Sequence, residues 1–226
     1  MADLVSAARR VMAQPDLAGT IVHLAADHPA TELAPVPEAV ADALGLTERR
    51  DLLQLRRPLP LPDDDPARTG APALALRAID LSPPSGDAGA WLRVNNRAFA
   101  HHPDQGAETP DTLAARTSES WFDPAGFLVA DDGDRPGELA GFCWTKVHPA
   151  RAEEPEALGE IYVIGVDPSH RGQRLGITLV IGGLDHLAAL GITAAVLYVE
   201  ADNEPALKLY ERLGFTVHQR RRVYTS

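Results

Sequence analysis

The chain has 226 residues, of which 45% are hydrophobic, and a formal net charge of −11. This length and apolar content suit one or two globular domains. The negative charge argues against nonspecific binding to nucleic acid and against a membrane surface, so neither is expected as a partner. The sequence has no apolar run of about 18 residues and no signal-type apolar segment at its start, and a cytoplasmic protein is therefore expected.

The first 57 residues alternate between helix and strand patterns. Apolar spacing predicts a helix over 4–12, a strand over 19–25, a helix over 37–44 that ends at Gly45, and a strand over 51–55. A segment rich in proline and aspartate follows at 58–72 and predicts an extended linker, which places a domain boundary there. The alternative is a long surface loop inside one domain.

The pattern over 73–226 predicts a second domain in which strands and helices alternate. Strands are predicted at 73–79, 127–130, 139–147, 161–166, 194–200, 215–217 and 222–225, and helices at 87–99, 110–121, 175–190 and 204–213. Thr109 is the predicted cap of the helix at 110–121, and either Asp202 or Asn203 caps the helix at 204–213. The basic run at 220–222 predicts a solvated edge strand.

Cys143 is the only cysteine, so the chain cannot form an internal disulfide. It lies in the apolar run 139–144. A nucleophilic thiol needs a neighbouring base and an exposed, electropositive setting. The apolar run therefore favours a buried strand residue over a nucleophile.

Residues 160–176 combine a buried strand, a turn at Asp167-Pro168 and a glycine-containing loop that opens a long apolar helix. The first turn of a helix has backbone N–H groups without intrahelical partners and the positive end of the helix dipole. A loop with little side-chain bulk lets a pyrophosphate approach these groups, and Arg171 and Arg174 add positive charge. An ordinary tight turn is the alternative for such a loop.

The spacing Val-x-Pro-x-x-Arg-Gly-x-x-Leu-Gly resembles the acetyl-CoA signature Arg/Gln-x-x-Gly-x-Gly/Ala of the GNAT N-acetyltransferases. Arg171 and Gly176 match its ends, and Arg174 occupies the position of the usual middle glycine. We expect Arg174 to have a negative φ, because it opens a helix. A second GNAT pattern, Leu-Tyr-Val-Glu-x-Asp-Asn-x-x-Ala-x-x-Leu-Tyr-x-x-Leu-Gly-Phe, occupies 197–215. The resemblance implies an α/β protein of the GNAT fold, with a mixed central sheet flanked by helices, and acetyl-CoA as acetyl donor.

Three further stretches, at 93–106, 142–148 and 159–168, resemble the mycothiol synthase family. Its members are tandem GNAT proteins that acetylate the cysteinyl amine of cysteinyl-glucosaminyl-inositol. Residues 44–59 resemble the end of the family's first domain, so we expect 1–57 to be an incomplete GNAT-like half domain and 73–226 to be the catalytic GNAT domain. The half domain is expected to pack on the second domain or to complete itself in a homodimer.

Acetylation of an amine requires the neutral amine and a proton donor for the departing thiolate. The resemblance implies that Glu160 is the general base and Tyr210 the general acid. It also implies that Lys146, Glu160 and Tyr198 contact the acceptor. Other interpretations are a solvated strand-entry charge for Glu160, a core aromatic for Tyr210 or Tyr198, and a surface side chain for Lys146.

The cofactor-binding residues implied by the resemblance fall into three groups. The first is a strand edge whose backbone pairs with pantetheine, the second is the pyrophosphate loop, and the third lies near the thiol arm. They are Ile164, Gly165 and Val166; Arg171, Gly172, Gln173, Arg174, Leu175 and Gly176; and Asn203 and Ala206. No metal is expected, because the adjacent His101 and His102 have no third ligand at suitable spacing.

The expected function is acetyl-CoA-dependent N-acetylation of a small-molecule amine, by direct attack in a ternary complex, with the acceptor of the mycothiol synthase family. One alternative is acetylation of another amine or of a protein N-terminus. The other is a non-catalytic module that binds acyl-CoA, which the Arg174 substitution and the incomplete first domain favour and the retention of Glu160 and Tyr210 opposes.

Overall fold

The fold is described from a computed structural model, which covers residues 23–29, 35–83, 86–100, 106–152 and 154–225. The α-helices in these ranges are α1 (Pro35–Leu44), α2 (Pro66–Thr69), α3 (Ala88–Ala98), α4 (Pro110–Thr117), α5 (Leu175–Ala189) and α6 (Glu204–Arg212). The strands are β1 (His23–Pro29), β2 (Thr47–Pro58), β3 (Arg77–Ala78), β4 (Phe127–Asp131), β5 (Leu139–His148), β6 (Leu158–Val166), β7 (Ala194–Glu200) and β8 (Thr216–Thr225).

The chain divides into two compact units. The larger unit consists of Arg57–Leu197 and Arg212–Gly214. The smaller unit consists of the described residues up to Arg56, together with Tyr198–Glu211 and the chain from Phe215 onward. Each unit is described by itself.

The larger unit is built on a mixed sheet with β6 near its centre. β5 and β6 pair antiparallel from Gly141 opposite Val166 to His148 opposite Leu158, with a register shift after Trp144. β6 pairs in parallel with β7, and β4 pairs antiparallel with both β5 and the short β3. The predicted mixed α/β sheet is therefore confirmed.

An aromatic cluster fills one face of this sheet, against α3. Trp91, Phe127, Phe142 and Trp144 have no exposed surface. The rings of Phe127 and Trp144 stack with centroids 4.2 Å apart, and Trp91 meets both edge-on. Large aromatic side chains dominate the burial energy of a core and fix its geometry. The cluster thus holds α3 to the strands that bear the candidate site.

The other face of the sheet lies against α5. Leu179, Leu184 and Leu187 of this helix are fully buried. Gly183 lets the helix approach closely, because a β-carbon at this position would lie 2.7 Å from Sγ of Cys143. Alternation along β5 thus places Cys143 on the α5 face and its neighbours Phe142 and Trp144 on the α3 face.

The smaller unit contains β8 between β1 and β2, antiparallel to both. The predicted edge strand at 220–222 is therefore wrong, and the two strands predicted at 215–217 and 222–225 are one continuous strand. The reason is that both neighbours supply backbone hydrogen-bonding groups along the strand, while Asp51 forms ion pairs with Arg220 and Arg222. The basic run at 220–222 was therefore not sufficient evidence for an edge strand.

The segment 58–72 was predicted to be extended, and this is wrong. It contains the helical turn α2, which Asp65 caps by accepting a hydrogen bond from the backbone of Ala67. Leu61 and Ala67 are buried. These apolar side chains lie between the prolines and aspartates in the sequence. Their burial outweighs the preference of a segment of this composition for an extended, solvated conformation.

Most of the other predicted elements are confirmed, with shifted ends. α4 stops at Thr117, and the strand predicted over 73–79 shrinks to β3. The helix predicted over 4–12 and most of the strand predicted over 19–25 lie outside the described residues. The domain boundaries, including the half domain over 1–57, stay predictions. In the part of the chain that the structure covers, no helix has the length and apolar character needed to cross a bilayer.

Cys143 should resist thiol reagents in the native protein. It is fully buried, and burial raises the pKa of its thiol to about 12, so roughly one thiol in 10⁴ is ionised at pH 8. We expect one thiol to react with a chromogenic disulfide reagent in 6 M guanidinium chloride, as is ordinary for an unfolded chain. In buffer, reaction should be limited by unfolding, and prompt stoichiometric labelling of the native protein would contradict the buried position.

Candidate active site

The predicted strand, loop and helix are present in the larger unit. β6 ends at Val166, a 3-10 turn spans Pro168–His170, and α5 starts at Leu175. Gly172 has a φ of +81°. The side chains of Arg171, Gln173 and Arg174 are exposed. The loop therefore presents positive charge beside the N-terminus of a 15-residue helix, which is a favourable setting for a phosphate group.

Arg174 has a φ of +62° and a ψ of 17°, so the predicted negative φ is wrong. The chain enters α5 through a left-handed residue at the N-cap, where a β-carbon crowds the backbone. Glycine adopts this conformation without that cost. The geometry accounts for the glycine usual at this position in the signature.

The guanidinium of Arg174 lies against Gly70, in the segment that follows α2. A β-carbon on Gly70 would lie 2.4 Å from Nη2 of Arg174. Gly70 therefore leaves room for the side chain to fold over this segment. Leu175, by contrast, is buried, and only its backbone is available to the predicted pyrophosphate contact.

Asp167 anchors the start of the loop, a role that the sequence analysis missed. Its Oδ1 accepts hydrogen bonds from the backbone N–H of Ser169 at 2.9 Å and from the Ser169 hydroxyl, and its Oδ2 accepts from Nε of Arg97 at 2.7 Å. Burial raises the pKa of the Asp167 carboxyl, but the bonds from Ser169 and the Arg97 charge outweigh it and hold that pKa well below its usual range. Aspartate two residues before a serine, straight after a strand, is the available sequence signal.

The predicted pantetheine edge lies at the C-terminal half of β6. The register of β6 with β7 covers Gly159 opposite Ala195 and Glu160 opposite Val196. Ile164, Gly165 and Val166 lie beyond that register and pair with β5 on their other side. Because a strand has two hydrogen-bonding edges, this arrangement is compatible with a ligand amide pairing there.

Glu160 and Lys146 occupy paired positions on β6 and β5. Glu160 is 8% exposed, so the interpretation as a solvated charge is wrong. Its Oε2 lies 2.6 Å from Nε2 of His148. The structure therefore places a buried carboxylate with a hydrogen-bonding partner at this position of β6.

The Lys146 ammonium lies over two aromatic rings. Its Nζ is 4.3 Å from the ring centroid of Trp121 and 5.3 Å from that of Tyr162. Such contacts stabilise a cation while leaving its N–H groups available to a ligand. The sequence analysis missed Trp121, Tyr162 and His148, because their contacts join residues that are distant in the sequence rather than within a local pattern.

The remaining predicted site residues belong to the smaller unit. Tyr210 is 6% exposed, and its ring packs edge-on against Phe215. Asn203 caps α6 by accepting from the backbone N–H of Ala206 at 3.2 Å, which decides between the two predicted caps. Tyr198 is 48% exposed, so the core interpretation is wrong, and its hydroxyl accepts from Nε2 of Gln54.

Among the residues that the structure describes, no three histidine, cysteine, aspartate or glutamate side chains form a group that could hold a metal ion. His101 and His102 lie outside those residues.

Solved structures include proteins with the same fold. A GCN5-related N-acetyltransferase from Sphaerobacter thermophilus superimposes with a TM-score of 0.66 at 21% identity, covering 97% of this chain and 63% of that one. The profile of the Acetyltransferase (GNAT) family matches residues 91–215. The chain belongs to this family, as the signature loop predicted.

Two curated relatives are much more similar in sequence. The chain is 52% identical over 181 residues to a mycothiol acetyltransferase of Acidimicrobium ferrooxidans, and 50% identical over 188 residues to one of Thermomonospora curvata. These matches cover 78% and 82% of this chain but 54% and 58% of the relatives. The chain thus spans little more than half the length of the curated relatives it matches.

At position 174, a glycine variant should be more stable than an alanine variant, which is the reverse of their usual order. Arg174→Gly should be more stable than Arg174→Ala by about 0.5–1 kcal/mol, because the left-handed cost of roughly 1–2 kcal/mol exceeds the entropic cost of glycine. The free energy of unfolding in urea measures this difference. A more stable alanine variant would show that position 174 does not hold its positive φ.

Asp167→Asn should lower the free energy of unfolding by about 2 kcal/mol at pH 7, the scale of hydrogen bonds to charged groups. The native pKa of Asp167 is depressed, so its contribution is complete above the unfolded value of about 3.9 and is lost as the pH falls through the native value. The difference from wild type should therefore shrink below pH ~4.

Asp134→Asn is the matched control for Asp167→Asn. Asp134 is exposed in the turn between β4 and β5. Its replacement should change stability by less than about 0.5 kcal/mol at either pH. Equal losses for the two variants, or a loss for Asp167→Asn that does not depend on pH, would rule out the proposed anchoring by the charged carboxylate.

Proposed function

We propose that the protein transfers the acetyl group of acetyl-CoA to the amine of a small molecule, by direct attack in a ternary complex. The main support is the arrangement on β6. The strand bears the buried Glu160 and, six residues later, passes into the loop and helix N-terminus suited to phosphate. A single strand thus joins a candidate base to a candidate donor-binding loop.

Glu160 is the proposed general base. An α-amino group has a pKa of about 8, so most of an acceptor amine is protonated near neutral pH and cannot attack. The Glu160 carboxylate removes this proton directly or through a water molecule. The nitrogen lone pair then attacks the thioester carbonyl, and a C–N bond replaces the C–S bond.

Tyr210 is the proposed general acid, a role taken from its match to the family pattern. Its phenol O–H supplies the proton that the departing CoA sulfur needs. The second proton that the nitrogen must lose to become an amide restores the phenol, directly or through a water molecule. Asn203 and Ala206 are proposed to lie near the thiol arm of acetyl-CoA. In the smaller unit, the bond between these two residues orders the first turn of α6.

The proposed acceptor is the cysteinyl amine of cysteinyl-glucosaminyl-inositol. The support is that two relatives of about 50% identity have the name mycothiol acetyltransferase. Lys146, held over Trp121 and Tyr162, and the exposed hydroxyl of Tyr198 are hydrogen-bonding groups suited to a polyhydroxylated acceptor. We also propose that the protein forms a homodimer. Its molar mass in solution, measured by light scattering, tests this.

The deciding experiment follows conversion of acetyl-CoA to CoA with this acceptor beside a panel of other amines and peptide N-termini. CoA should be separated chromatographically, because the acceptor's own thiol would react with a thiol reagent. The product should gain one acetyl group on nitrogen. Turnover of another amine alone would indicate a different acceptor, and binding of acetyl-CoA without any turnover would indicate a non-catalytic module.

Glu160→Gln and Tyr210→Phe should both slow turnover while leaving acetyl-CoA binding within about threefold of wild type. Proton transfer by a positioned side chain contributes typically about 10²- to 10⁴-fold, and losses in this range are expected for Glu160→Gln. Tyr224→Phe is the matched control, since Tyr224 is a second buried tyrosine of the smaller unit. Normal turnover by Tyr210→Phe would remove its phenol from the mechanism.

A further inference from the structure

The candidate base has a partner that the sequence pattern does not indicate. His148 lies two residues beyond Lys146 on β5, and Lys146 is the register partner of Glu160. His148 is therefore a diagonal neighbour of Glu160 across the ladder. The side chain of Glu160 is 11% exposed and that of His148 is 32% exposed. The pair thus extends from the buried carboxylate toward solvent.

The 2.6 Å separation between Oε2 of Glu160 and Nε2 of His148 requires a hydrogen between the two atoms. A carboxylate has no hydrogen to donate, so the imidazole Nε2–H is the donor. This bond uses one lone pair of Oε2 and restrains the rotation of the carboxyl group, so that Oε1 is the oxygen with both lone pairs available. Oε1 is then the oxygen left to accept a proton from an amine.

Other charged and titratable groups lie on and beside the two strands that bear this pair. Lys146 comes from β5, Tyr162 from β6, and Arg116 from α4, where it forms an ion pair with Glu108. Lys146 and Arg116 both lie over the Tyr162 ring. Their positions are set by aromatic contacts and by Glu108, whereas the recorded partner of the Glu160 carboxylate is His148.

We propose that His148 is a positioning residue for the general base, and that it holds the Glu160 carboxylate with Oε1 directed at the acceptor amine. The proposal rests on the proposed acetyl transfer. Without the imidazole the carboxyl group rotates about its side-chain torsions, and a displacement of about 1 Å from the attacking geometry can cost about 10²-fold in rate. The effect belongs to the proton-transfer step and not to donor binding.

The test is a double-mutant cycle with a conservative rescue, on the full chain with acetyl-CoA and the amine that it acetylates. His148→Ala should lower kcat by about 10- to 100-fold and leave the KM for acetyl-CoA within about twofold. His148→Gln should recover most of this loss, because the glutamine amide reaches a similar position and donates an N–H. In the Glu160→Gln background, His148→Ala should cost less than about threefold further, since there is no base left to position.

Two controls separate a catalytic effect from misfolding. The first control is His218→Gln, which replaces a histidine on β8 of the smaller unit. This variant should have the kcat of wild type. Acetyl-CoA affinity and the midpoint of thermal unfolding are measured for every variant. If His148→Ala does not fold, the kcat of His148→Gln is compared with that of His148→Leu. Only the glutamine variant should keep a kcat near that of wild type.

The outcomes distinguish this inference from the proposed function. Loss of turnover in Glu160→Gln with normal turnover in His148→Ala would overturn the role of His148 alone. An equal cost of His148→Ala with and without the Glu160 carboxylate would do the same. Normal turnover in Glu160→Gln, or no acetylation of any amine, would overturn the proposed base itself and the role of His148 with it.

Discussion

The antiparallel pairing of β5 with β6 is the constraint on which the candidate site depends. Its register places Glu160 opposite Lys146 and makes His148 the diagonal neighbour of Glu160. The same ladder continues to Val166 and ends where Asp167 begins the loop. A shift of one residue would turn the side chains of one strand to the opposite face of the sheet, toward α5. The aromatic stack of Phe127 on Trp144 and the close approach of α5 at Gly183 both oppose such a shift.

The loop after β6 is held by charge, whereas the sheet is held by apolar contact. Asp167 is almost fully buried and joins Arg97 of α3 to Ser169 of the 3-10 turn. Loss of Arg97 would leave this buried carboxylate without its nearest charged partner, and a buried charge without compensation is costly. The arrangement therefore fixes the loop strongly without needing bulky side chains, which would obstruct a phosphate.

Local patterns in the sequence predicted most elements but few of the contacts between them. Helix ends were identified by Gly45 and Gly191, which have positive φ as expected of helix C-termini. The family resemblance predicted roles for Glu160 and Lys146, which stay predictions. It did not predict their contacts with His148 and Trp121, because a diagonal strand pair and a cation over a ring join residues that no short pattern links. Composition misled at 58–72 and at 220–222. In both segments, burial or pairing with distant residues outweighed the local preference for solvent.

Arg174 shows which part of the chain bears the cost of a departure from a family signature. The arginine replaces a glycine at a left-handed position, and its guanidinium lies where a side chain at residue 70 would otherwise be. Arg174 is exposed and its guanidinium is the far end of a flexible side chain, so a larger residue at position 70 would displace the guanidinium rather than exclude the arginine. The cost of losing the signature glycine is therefore carried by the left-handed backbone of residue 174 itself, and not by the distant segment that its side chain touches.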